Sequence, residues 1–549
     1  MSRKRMVIIA VIGVVLVLGV GLYTYDFQED APIQRQAELP GEQETLNMAI
    51  ATETEHAIEF VDTTEQDYVD RVHDVTYTYE IGTEPVSYLK VTKRTIDNGD
   101  QFVFTTLDNQ SDENLEIALS IPIADTSYYS LQPFSQYRTG PRISEGIKAD
   151  LTTSPFGLLT TYKDDNFHSN LMIGKKYQST DITKTYENGQ KSKLRELISE
   201  NQDLDIDVTQ DETALKLDME SGGNDIIDHW LLYSDERLFA SIESFRSWIR
   251  TYNAKKYKNN SWYTAKGPYK KVVRTAEPTP ESELQYGRNL LIVREDEVLK
   301  QYKETDERYH YNLLLNAVAN LQRFKGDKTF WETEYTNGWL NRVYDIKAPY
   351  IDTRHNEGVA LFLEETGELL GIPEIKDALT NYADLLVRQM ESGQVIEVGP
   401  DAYLISDYFK YEEDAPITHS SLNHVLGGMN LLLETYNETG EAKYLSTAKK
   451  IQNGINELGE QWLTDEGDTW YQINPDHTFQ GEDYTNLTLT DMLKALELWQ
   501  DIDDSRTDTL KMLIESKAKY LVREDISLSP EAVELLNRNG FGEIIDGQE

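Results

Sequence analysis

The chain has 549 residues, which is enough for about three domains. Hydrophobic residues make up 39% of it, and this content excludes a wholly disordered protein. Asp and Glu number 96 against 53 Lys and Arg, a formal net charge of −43. This balance argues against nucleic-acid binding, which needs a basic surface to neutralise phosphates. The sequence has no cysteine, which excludes disulfides, thiolate catalysis, iron–sulfur clusters and cysteine-ligated zinc.

The N-terminus predicts a membrane anchor. A basic tip at residues 1–5 precedes a charge-free apolar run over residues 6–25. About 20 apolar residues span a hydrocarbon layer of about 30 Å. The positive-inside rule places the tip in the cytoplasm and the bulk of the chain outside the cell membrane. The bulky end of the run favours an uncleaved single-pass transmembrane helix over a cleaved export signal, and the polar residues 26–60 read as a tether.

Residues 61–240 predict an antiparallel, β-sandwich-like domain. Runs over 86–93, 101–107 and 115–121 alternate apolar and polar side chains, as half-buried strands do. Clusters of Asp, Asn, Gly and Ser separate these runs and supply turns, as expected of a sandwich.

Residues 241–549 predict a C-terminal (α/α) barrel or toroid of helix hairpins. Pairs of amphipathic helices recur about every 45–70 residues, joined by short turns. An α-solenoid for protein binding is the alternative, but its repeats are shorter and more uniform. The paired segments are 311–324 with 329 onward, 359–370 with 374–390, 422–437 with 441–458, and 487–500 with 506–522.

A basic and aromatic segment joins the two halves. Residues 246–274 include nine Lys or Arg and no acidic residue. Aromatic faces stack on sugar rings, and Lys or Arg pairs with carboxylates or sulfates, so the segment predicts contact with an acidic polysaccharide. A linker with ordinary ion pairs is the alternative. The predicted substrate-binding residues here are Trp248, Trp262, Tyr263, Lys270 and Lys271.

Three stretches in the helical half carry a family resemblance. They are Tyr-Phe-Lys-Tyr-Glu-Glu-Asp-Ala-Pro at 408–416, Ser-Ser-Leu-Asn-His at 420–424 before a helix with Leu-Leu-Leu-Glu at 431–434, and Asp-Tyr-Thr-Asn-Leu-Thr-Leu-Thr-Asp at 483–491. In order and spacing they resemble the C-terminal domain of D-glucuronyl C5-epimerases, over about residues 310–520. The resemblance implies an (α/α) barrel preceded by β domains, acting on uronic acids within a polysaccharide through tyrosines.

The resemblance transfers to single residues only in part. Tyr411 falls where the family has a catalytic tyrosine. The place of the family's next tyrosine is filled by Val-Leu-Gly-Gly at 425–428, and a third aligns near 352–357, which contains no tyrosine.

Epimerisation sets chemical requirements that the sequence can meet. The C5 hydrogen of a uronate is α to its carboxylate, so its removal needs a cation or donors for the enediolate, a base on one face and an acid on the other. We assign Arg354 to the substrate carboxylate and Tyr411 and Tyr484 to proton transfer, with His355 or His419 as an alternative base. Loops 350–357, 407–419 and 481–486 are expected to converge. The other predicted substrate-binding residues are Asp352, Asn356, Glu357 and Asn423.

Other functions remain open from the sequence. Expulsion of the C4 substituent after proton removal makes a polysaccharide lyase. A glycoside hydrolase needs two carboxylates, for which Asp352, Glu357, Asp407, Glu412 and Asp483 are candidates. A non-catalytic cell-wall polysaccharide-binding protein is the third class. Acidic turns at 465–468 and 501–504 have ligands that suit Ca²⁺, but no metal motif is present, and we predict neither metal nor cofactor.

Overall fold

The computed structural model describes residues 35–38, 48–52, 57–82, 84–137, 155–209, 212–256, 261–411 and 415–545. The predicted cytoplasmic tip and anchor at 1–25 lie outside these ranges. Within them, no helix combines the length and apolarity needed to cross a membrane.

Antiparallel strands make up the N-terminal half, which confirms the predicted β-rich domain. In chain order they are β1 (Arg35–Glu38), β2 (Ala49–Thr52), β3 (Ile58–Tyr68), β4 (Val72–Ile81), β5 (Ser87–Ile96), β6 (Gln101–Asp108), β7 (Leu115–Ala124), β8 (Tyr128–Pro133), β9 (Gly157–Lys163), β10 (Asn166–Ile173), β11 (Lys176–Thr185), β12 (Lys191–Asn201), β13 (Asp205–Val208), β14 (Glu212–Ser221) and β15 (Ile226–Ser234). Strands β1, β2, β7, β14 and β13 form one sheet, and the others belong to a larger one.

The two sheets pack face to face around a hydrophobic core. Strand β7 alternates buried and half-buried residues along its length, as a strand with one covered face does. Its buried Ile117 and Leu119 share a core cluster with Val91, Val103 and Leu231 of the larger sheet. The clean alternation explains why the sequence reveals this domain.

The sheets extend beyond the predicted limits of 61–240. Strands β1 and β2 lie in the predicted tether, where Ile50 is fully buried and pairs with Leu119. Beyond residue 240, short strands β16 (Ser261–Trp262), β17 (Tyr269–Lys271), β18 (Ala276–Glu277) and β19 (Gln285–Arg288) follow, and β16, β17 and β19 join the larger sheet through β12. Strands this short show little periodicity, so the sequence does not reveal them.

Helices dominate the C-terminal half. They are α1 (Ile242–Lys256), α2 (Leu290–Val293), α3 (Asp296–Thr305), α4 (Arg308–Lys325), α5 (Gly338–Tyr344), α6 (Thr353–Leu370), α7 (Asp377–Glu391), α8 (Leu422–Thr439), α9 (Ala442–Leu458), α10 (Thr485–Asp503), α11 (Asp508–Arg523) and α12 (Pro530–Arg538). Helices α6, α8 and α10 pack on one another in chain order, and α7, α9 and α11 each fold back on the helix before it. This order of helix hairpins agrees with the predicted segments.

The first predicted hairpin is the exception. A second long helix was expected from residue 329, but only the seven-residue α5 forms. The side chain of Asn337 caps its start, and the left-handed Asp345 ends it. A proline follows at 349, so the chain enters α6 through an extended segment.

Short strands lie in the segments between the helices of the C-terminal half. They are β20 (Thr336–Asn337), β21 (Ile351–Asp352), β22 (Val395–Gly399), β23 (Ala402–Ile405), β24 (Tyr408–Phe409), β25 (Ser420–Ser421), β26 (Trp470–Ile473) and β27 (Phe479–Glu482). Strand β21 pairs with β24, and β26 pairs with both β25 and β27. These pairings fix the loops between the hairpins against one another.

A buried ionic cluster joins the β-rich and helical halves. The fully buried guanidinium of Arg94 on β5 donates to both carboxylate oxygens of Asp74, at 2.7 and 2.8 Å. Its Nη1 also donates to Asn316 and Asn320 of α4, both at 2.7 Å. One hydrophobic cluster runs through both halves beside it, so the sheet and the helices share a core.

Candidate active site

Three long helices begin at one place. Their N-caps are Asp352 for α6, Ser421 for α8 and Tyr484 for α10. Strand β21 pairs with β24, and β26 pairs with both β25 and β27, which brings these residues together although they are far apart in sequence. The positive ends of three helix dipoles therefore surround the same site, and they favour an anion there.

Asp407 is the buried carboxylate of this site. It accepts hydrogen bonds from the backbone N–H of Ser421 at 2.7 Å and from the Ser421 hydroxyl. Nε2 of His419 lies 3.1 Å from Oδ2 of Asp407, and Nε2 of His424 lies 3.6 Å from it. Burial opposes ionisation, but the His424 and His419 imidazoles hold the pKa of Asp407 below its ordinary value. Asp407 is therefore an anion, and it orients the His419 ring.

His419 joins this carboxylate to a phenol. Because Nε2 of His419 faces Asp407, its N–H donates there, and Nδ1 is left to accept. Nδ1 lies 3.2 Å from the hydroxyl of Tyr344, the last residue of α5, and the two rings stack at 5.6 Å. Asp407, His419 and Tyr344 thus form a continuous hydrogen-bonded relay. A base oriented by a buried acid and touching a hydroxyl is the arrangement that activates that hydroxyl.

His424 is held in a different way. Its Nδ1 lies 2.8 Å from the hydroxyl of Thr353, which donates to the backbone carbonyl of Asp407 at 2.9 Å. Because the Thr353 hydroxyl donates its one proton to that carbonyl, Nδ1 of His424 must be the donor in the contact between His424 and Thr353. Burial lowers the pKa of His424. Its contacts fix the start of α6 against β24.

Half-buried aromatic rings cover the relay. Trp339 and Tyr408 meet the His419 ring edge-on at 5.4 and 5.8 Å, and Tyr471 lies 6.5 Å from it. The exposed Tyr484 in turn meets Tyr471 at 5.7 Å. Partly exposed aromatic faces beside polar groups are what a sugar-binding surface needs.

The phenols of this wall are proton donors at neutral pH. Burial raises the pKa of Tyr344. It also raises the pKa of Tyr408 and Tyr471, and the negative charges of Asp352 and Asp407 add to that effect. Each hydroxyl therefore keeps its proton unless a neighbouring base takes it. Among the hydrogen bonds of the described residues, His419 bonds only the Tyr344 hydroxyl of these phenols.

Arg354, predicted to bind the substrate carboxylate, is already engaged by two carboxylates. Its Nη1 donates to Glu357 at 2.9 Å and to the backbone carbonyl of Asn423 at 3.0 Å, and its Nη2 lies 2.9 Å from Asp491. Burial raises the pKa of Glu357 to about 7 and also raises that of Asp491. This cluster lies between α6, α8 and α10, behind their N-terminal ends.

Gly427 has a steric role beside the Arg354–Glu357 pair. A Cβ on Gly427 would lie 1.9 Å from Nη1 of Arg354 and 2.2 Å from Oε2 of Glu357. No side chain fits at this position while the Arg354–Glu357 pair is in place.

Of the remaining predicted residues near α6, Asp352 and His355 lie at the site, whereas Asn356 stabilises the fold. Asp352 caps α6 by accepting from the His355 N–H at 3.0 Å, and its carboxylate lies 3.5 Å from Nδ1 of His355. Burial lowers the pKa of His355, and the positive charges of Arg294 and Lys270 act in the same direction. The fully buried Asn356 bonds the Trp331 backbone and serves the fold.

Tyr411 lies apart from the relay. Its ring packs on Phe330 at 5.1 Å and Phe409 at 4.8 Å, and its hydroxyl accepts from Arg388 at 3.1 Å. Tyr484, the other predicted catalytic tyrosine, lies at the edge of the aromatic wall, where its ring contacts Tyr471. Residues 412–414, and with them Glu412, lie outside the described ranges.

The predicted sugar-stacking aromatics are buried, which corrects that expectation. Trp248 and Trp262 are each 2% exposed and Tyr263 is 7% exposed. Trp262 stacks between Tyr177 and Tyr269 and donates to Asp228 at 3.1 Å. Trp248 on α1 packs against Tyr309 and His310, and Trp262 lies on β16 of the larger sheet. Lys270 and Lys271 remain partly exposed on β17.

The acidic turns with possible Ca²⁺ ligands are engaged by cations of the chain. Asp468 pairs with Lys517 at 2.7 Å, and Asp503 pairs with Arg506 at 3.1 Å. Over the described residues, no group of three or more His, Asp and Glu side chains is arranged to hold a metal ion.

Sequence reasoning missed four members of the site and one of the cluster behind it. They are Trp339, Tyr344, Tyr408, Tyr471 and Asp491. Trp339 and Tyr344 lie on the short α5, where a longer helix was expected, and Tyr471 lies on a strand of four residues. The available signal was the pair His419 and His424, five residues apart and following Asp407 in the sequence.

Comparisons with known proteins give only distant structural likeness. No family model matches the chain, and no curated protein matches it. Among similar solved structures, a D-mannose isomerase is 14% identical with a TM-score of 0.31, covering 42% of this chain and 59% of its own. A cellobiose 2-epimerase from Bacillus thermoamylovorans is 12% identical with a TM-score of 0.33, and the match covers 43% of this chain and 60% of the epimerase. A family 76 glycoside hydrolase from a bovine Bacteroides thetaiotaomicron strain is 12% identical with a TM-score of 0.33, covering 76% and 75%.

The chain thus spans about three fifths of the isomerase and of the epimerase. TM-scores this low do not establish a common fold or a common activity.

Proposed function

We propose that this protein is an enzyme that removes and returns the C5 proton of uronic-acid residues in an acidic polysaccharide. The observation that carries the proposal is the relay of Asp407, His419 and Tyr344 beneath half-buried aromatic rings. The predicted topology adds that the enzyme works outside the cytoplasm on a membrane tether.

In this mechanism the Tyr344 oxygen takes the C5 proton while its own proton passes to Nδ1 of His419. The resulting imidazolium is stabilised by Asp407 at 3.1 Å. A phenol whose pKa is raised by burial is a poor base alone, so the transfer to His419 is what makes it effective.

Tyr471 and Tyr408 supply the acid. Their raised pKa keeps both protonated at neutral pH, and both rings flank His419. A donor on the face opposite Tyr344 returns the proton and inverts C5, whereas return from the same face restores the substrate.

The substrate carboxylate needs positive potential, because negative charge moves onto it in the enediolate. The N-termini of α6, α8 and α10 contribute positive potential at this site. Arg354 was the predicted clamp. Its engagement with Glu357 and Asp491 fits better with holding the three helices together.

Glycoside hydrolysis has less support at this site. It requires a carboxylate free to protonate the leaving group and a second to act as base or nucleophile. The Asp407 carboxylate is already bound by Ser421 and His419. The carboxylates of Glu357 and Asp491 are paired with Arg354. A lyase shares the proton abstraction and differs only in expelling the C4 substituent.

One incubation separates these reactions. The full-length chain is mixed with polyglucuronate in D₂O and the products are analysed by NMR and ultraviolet absorbance. Deuterium at C5 with an unbroken chain is the expected result. Ultraviolet absorbance from an unsaturated uronate would identify a lyase, and new reducing ends without it would identify a hydrolase. None of these signals despite binding would indicate a non-catalytic binding protein.

A further inference from the structure

A groove of about 450 Å³ lies between the β-rich half and the helical half, apart from the relay. One wall is the turn between β11 and β12 with the first residues of β12. The other consists of the end of α4 and the segment that leads toward α6. The lining includes Lys191, Lys193, Phe324, Lys325 and Phe330.

The groove is a local positive region in a chain of net charge −43. Its lining carries four lysines and two glutamates. Both glutamates are neutralised, Glu332 by Lys328 and Glu334 by Arg288, whose Nε lies 2.8 Å from the carboxylate.

Three of the lysines have no such partner. Lys191, Lys193 and Lys325 form no ion pair with any residue in the described parts of the chain. Lys191 and Lys193 are exposed. Cations that are gathered in a groove without protein counterions suit an anionic ligand.

The floor of the groove adds apolar surface. Phe324 and Phe330 are half-buried, and the guanidinium of Arg288 covers Phe324 at 4.2 Å. Aromatic faces beside lysines suit a ligand that alternates carboxylates with the apolar faces of sugar rings.

Tyr411 lies between the groove and strand β24, which carries Tyr408 of the aromatic wall. The Tyr411 ring packs on Phe330 of the groove at 5.1 Å. Tyr408 of the aromatic wall is three residues earlier, so its Cα lies within about 11 Å of the Cα of Tyr411. An extended polymer whose reacting residue meets Tyr408 therefore reaches Phe330 within a short length.

We propose that this groove is a second binding site, which holds the anionic polysaccharide chain beside the residue that reacts. For the class of ligand, the inference rests on the proposed function. Its location rests on the groove itself. Lys191, Lys193 and Lys325 pair with carboxylates of neighbouring uronates, and Phe330 with Tyr411 packs on a sugar face.

The test is binding of polyglucuronate to the full-length chain, measured by calorimetry over a range of salt concentrations. The triple variant Lys191→Gln, Lys193→Gln, Lys325→Gln should bind about tenfold more weakly at low salt, since three exposed pairs are lost. Its affinity should also depend less on salt, because screening acts on those pairs. A neutral glucan of equal length should bind both proteins equally weakly.

A matched variant controls for overall charge. Lys300→Gln, Lys449→Gln, Lys511→Gln makes the same charge change on helices α3, α9 and α11, and it should bind like wild type. The proposal is overturned if the two triple variants weaken binding equally, if the groove variant binds like wild type, or if wild type does not bind polyglucuronate.

The two proposals can fail separately. Salt-dependent binding that is lost in the groove variant, without deuterium exchange at C5, supports the groove and rejects the reaction. Exchange at C5 together with unchanged binding in the groove variant rejects the second binding site and leaves the proposed reaction supported.

Discussion

Glu357 shows at the residue scale how burial and charge compete. It is buried between α6 and α8, beside the guanidinium of Arg354 and close to Asp491. One arginine between two buried carboxylates does not neutralise both, so one carboxyl tends to keep a proton. Burial accordingly raises the pKa of Glu357 from 4.5 to about 7.

This shift predicts a pH dependence of stability. Between pH 4.5 and about 7 the folded protein binds a proton at Glu357 that the unfolded chain has released. The contribution of Glu357 to the free energy of unfolding should therefore fall as pH rises through this window and level off above it. Glu357→Gln should remove that contribution and give a flatter profile in urea unfolding.

Glu365→Gln is the matched control, because Glu365 lies on the same helix but is exposed. Its pH profile should follow that of wild type. Identical slopes for wild type and Glu357→Gln would contradict the assignment of the buried proton to Glu357.

Some single residues of the site could be predicted from the sequence and others could not. Asp352, His355 and His419 were identified because titratable side chains stood together before apolar helices. Their geometric partner Tyr344 was not, since nothing distinguishes it among 33 tyrosines before the fold brings it to His419.

At the element scale, helix α11 supports the loop that carries Tyr484. The fully buried Lys517 on α11 donates to Asp468 at 2.7 Å and to Asp483 at 2.9 Å. Asp483 also accepts from the hydroxyl of Thr488 in the first turn of α10, at 2.8 Å. One ammonium group thereby ties an outer helix to the residue immediately before Tyr484.

Lys517→Met should be strongly destabilising, because it leaves two carboxylates without their buried cation. Loss of one partner from a buried ionic cluster typically costs about 3–5 kcal/mol in the free energy of unfolding. Thermal and urea unfolding measure this change. Lys519→Met removes an exposed pair with Glu515 on the same helix and should cost less than about 1 kcal/mol. Equal, small losses in both variants would mean that Lys517 does not support this loop.

Elements also differ in how well they can be predicted. The long helices were located to within a few residues, except that α6 begins six residues before its predicted start, because their apolar residues follow the helical period. Short strands such as β21, β24 and β25 have two residues each, too few for any period, although they position the site. Their existence depends on partners far along the chain.

At the scale of the whole molecule, the segment that joins the two halves contributes to the core. Its clustered Trp, Tyr and Lys residues suggested a surface for sugars, but Trp248 and Trp262 are core residues. Composition does not report which face of a side chain is covered. The positive groove is built instead from β12, α4 and the loop after it, which the sequence separates by more than 100 residues.

The halves are also joined more tightly than a tether between domains would require. Arg94 of the sheet binds Asn316 and Asn320 of α4, and one hydrophobic cluster spans both. A groove between the halves therefore has fixed walls, which suits a site that holds a polymer beside the relay.

The most direct test of the proposed relay is the rate of deuterium entry at C5 of polyglucuronate, compared between wild type and Tyr344→Phe. This substitution deletes only the hydroxyl that meets Nδ1 of His419. We predict a loss of about 10²-fold or more with an unchanged unfolding transition, as expected for general acid–base catalysis. Tyr520→Phe on α11 is the matched control and should retain the wild-type rate. Wild-type exchange by Tyr344→Phe would contradict the mechanism.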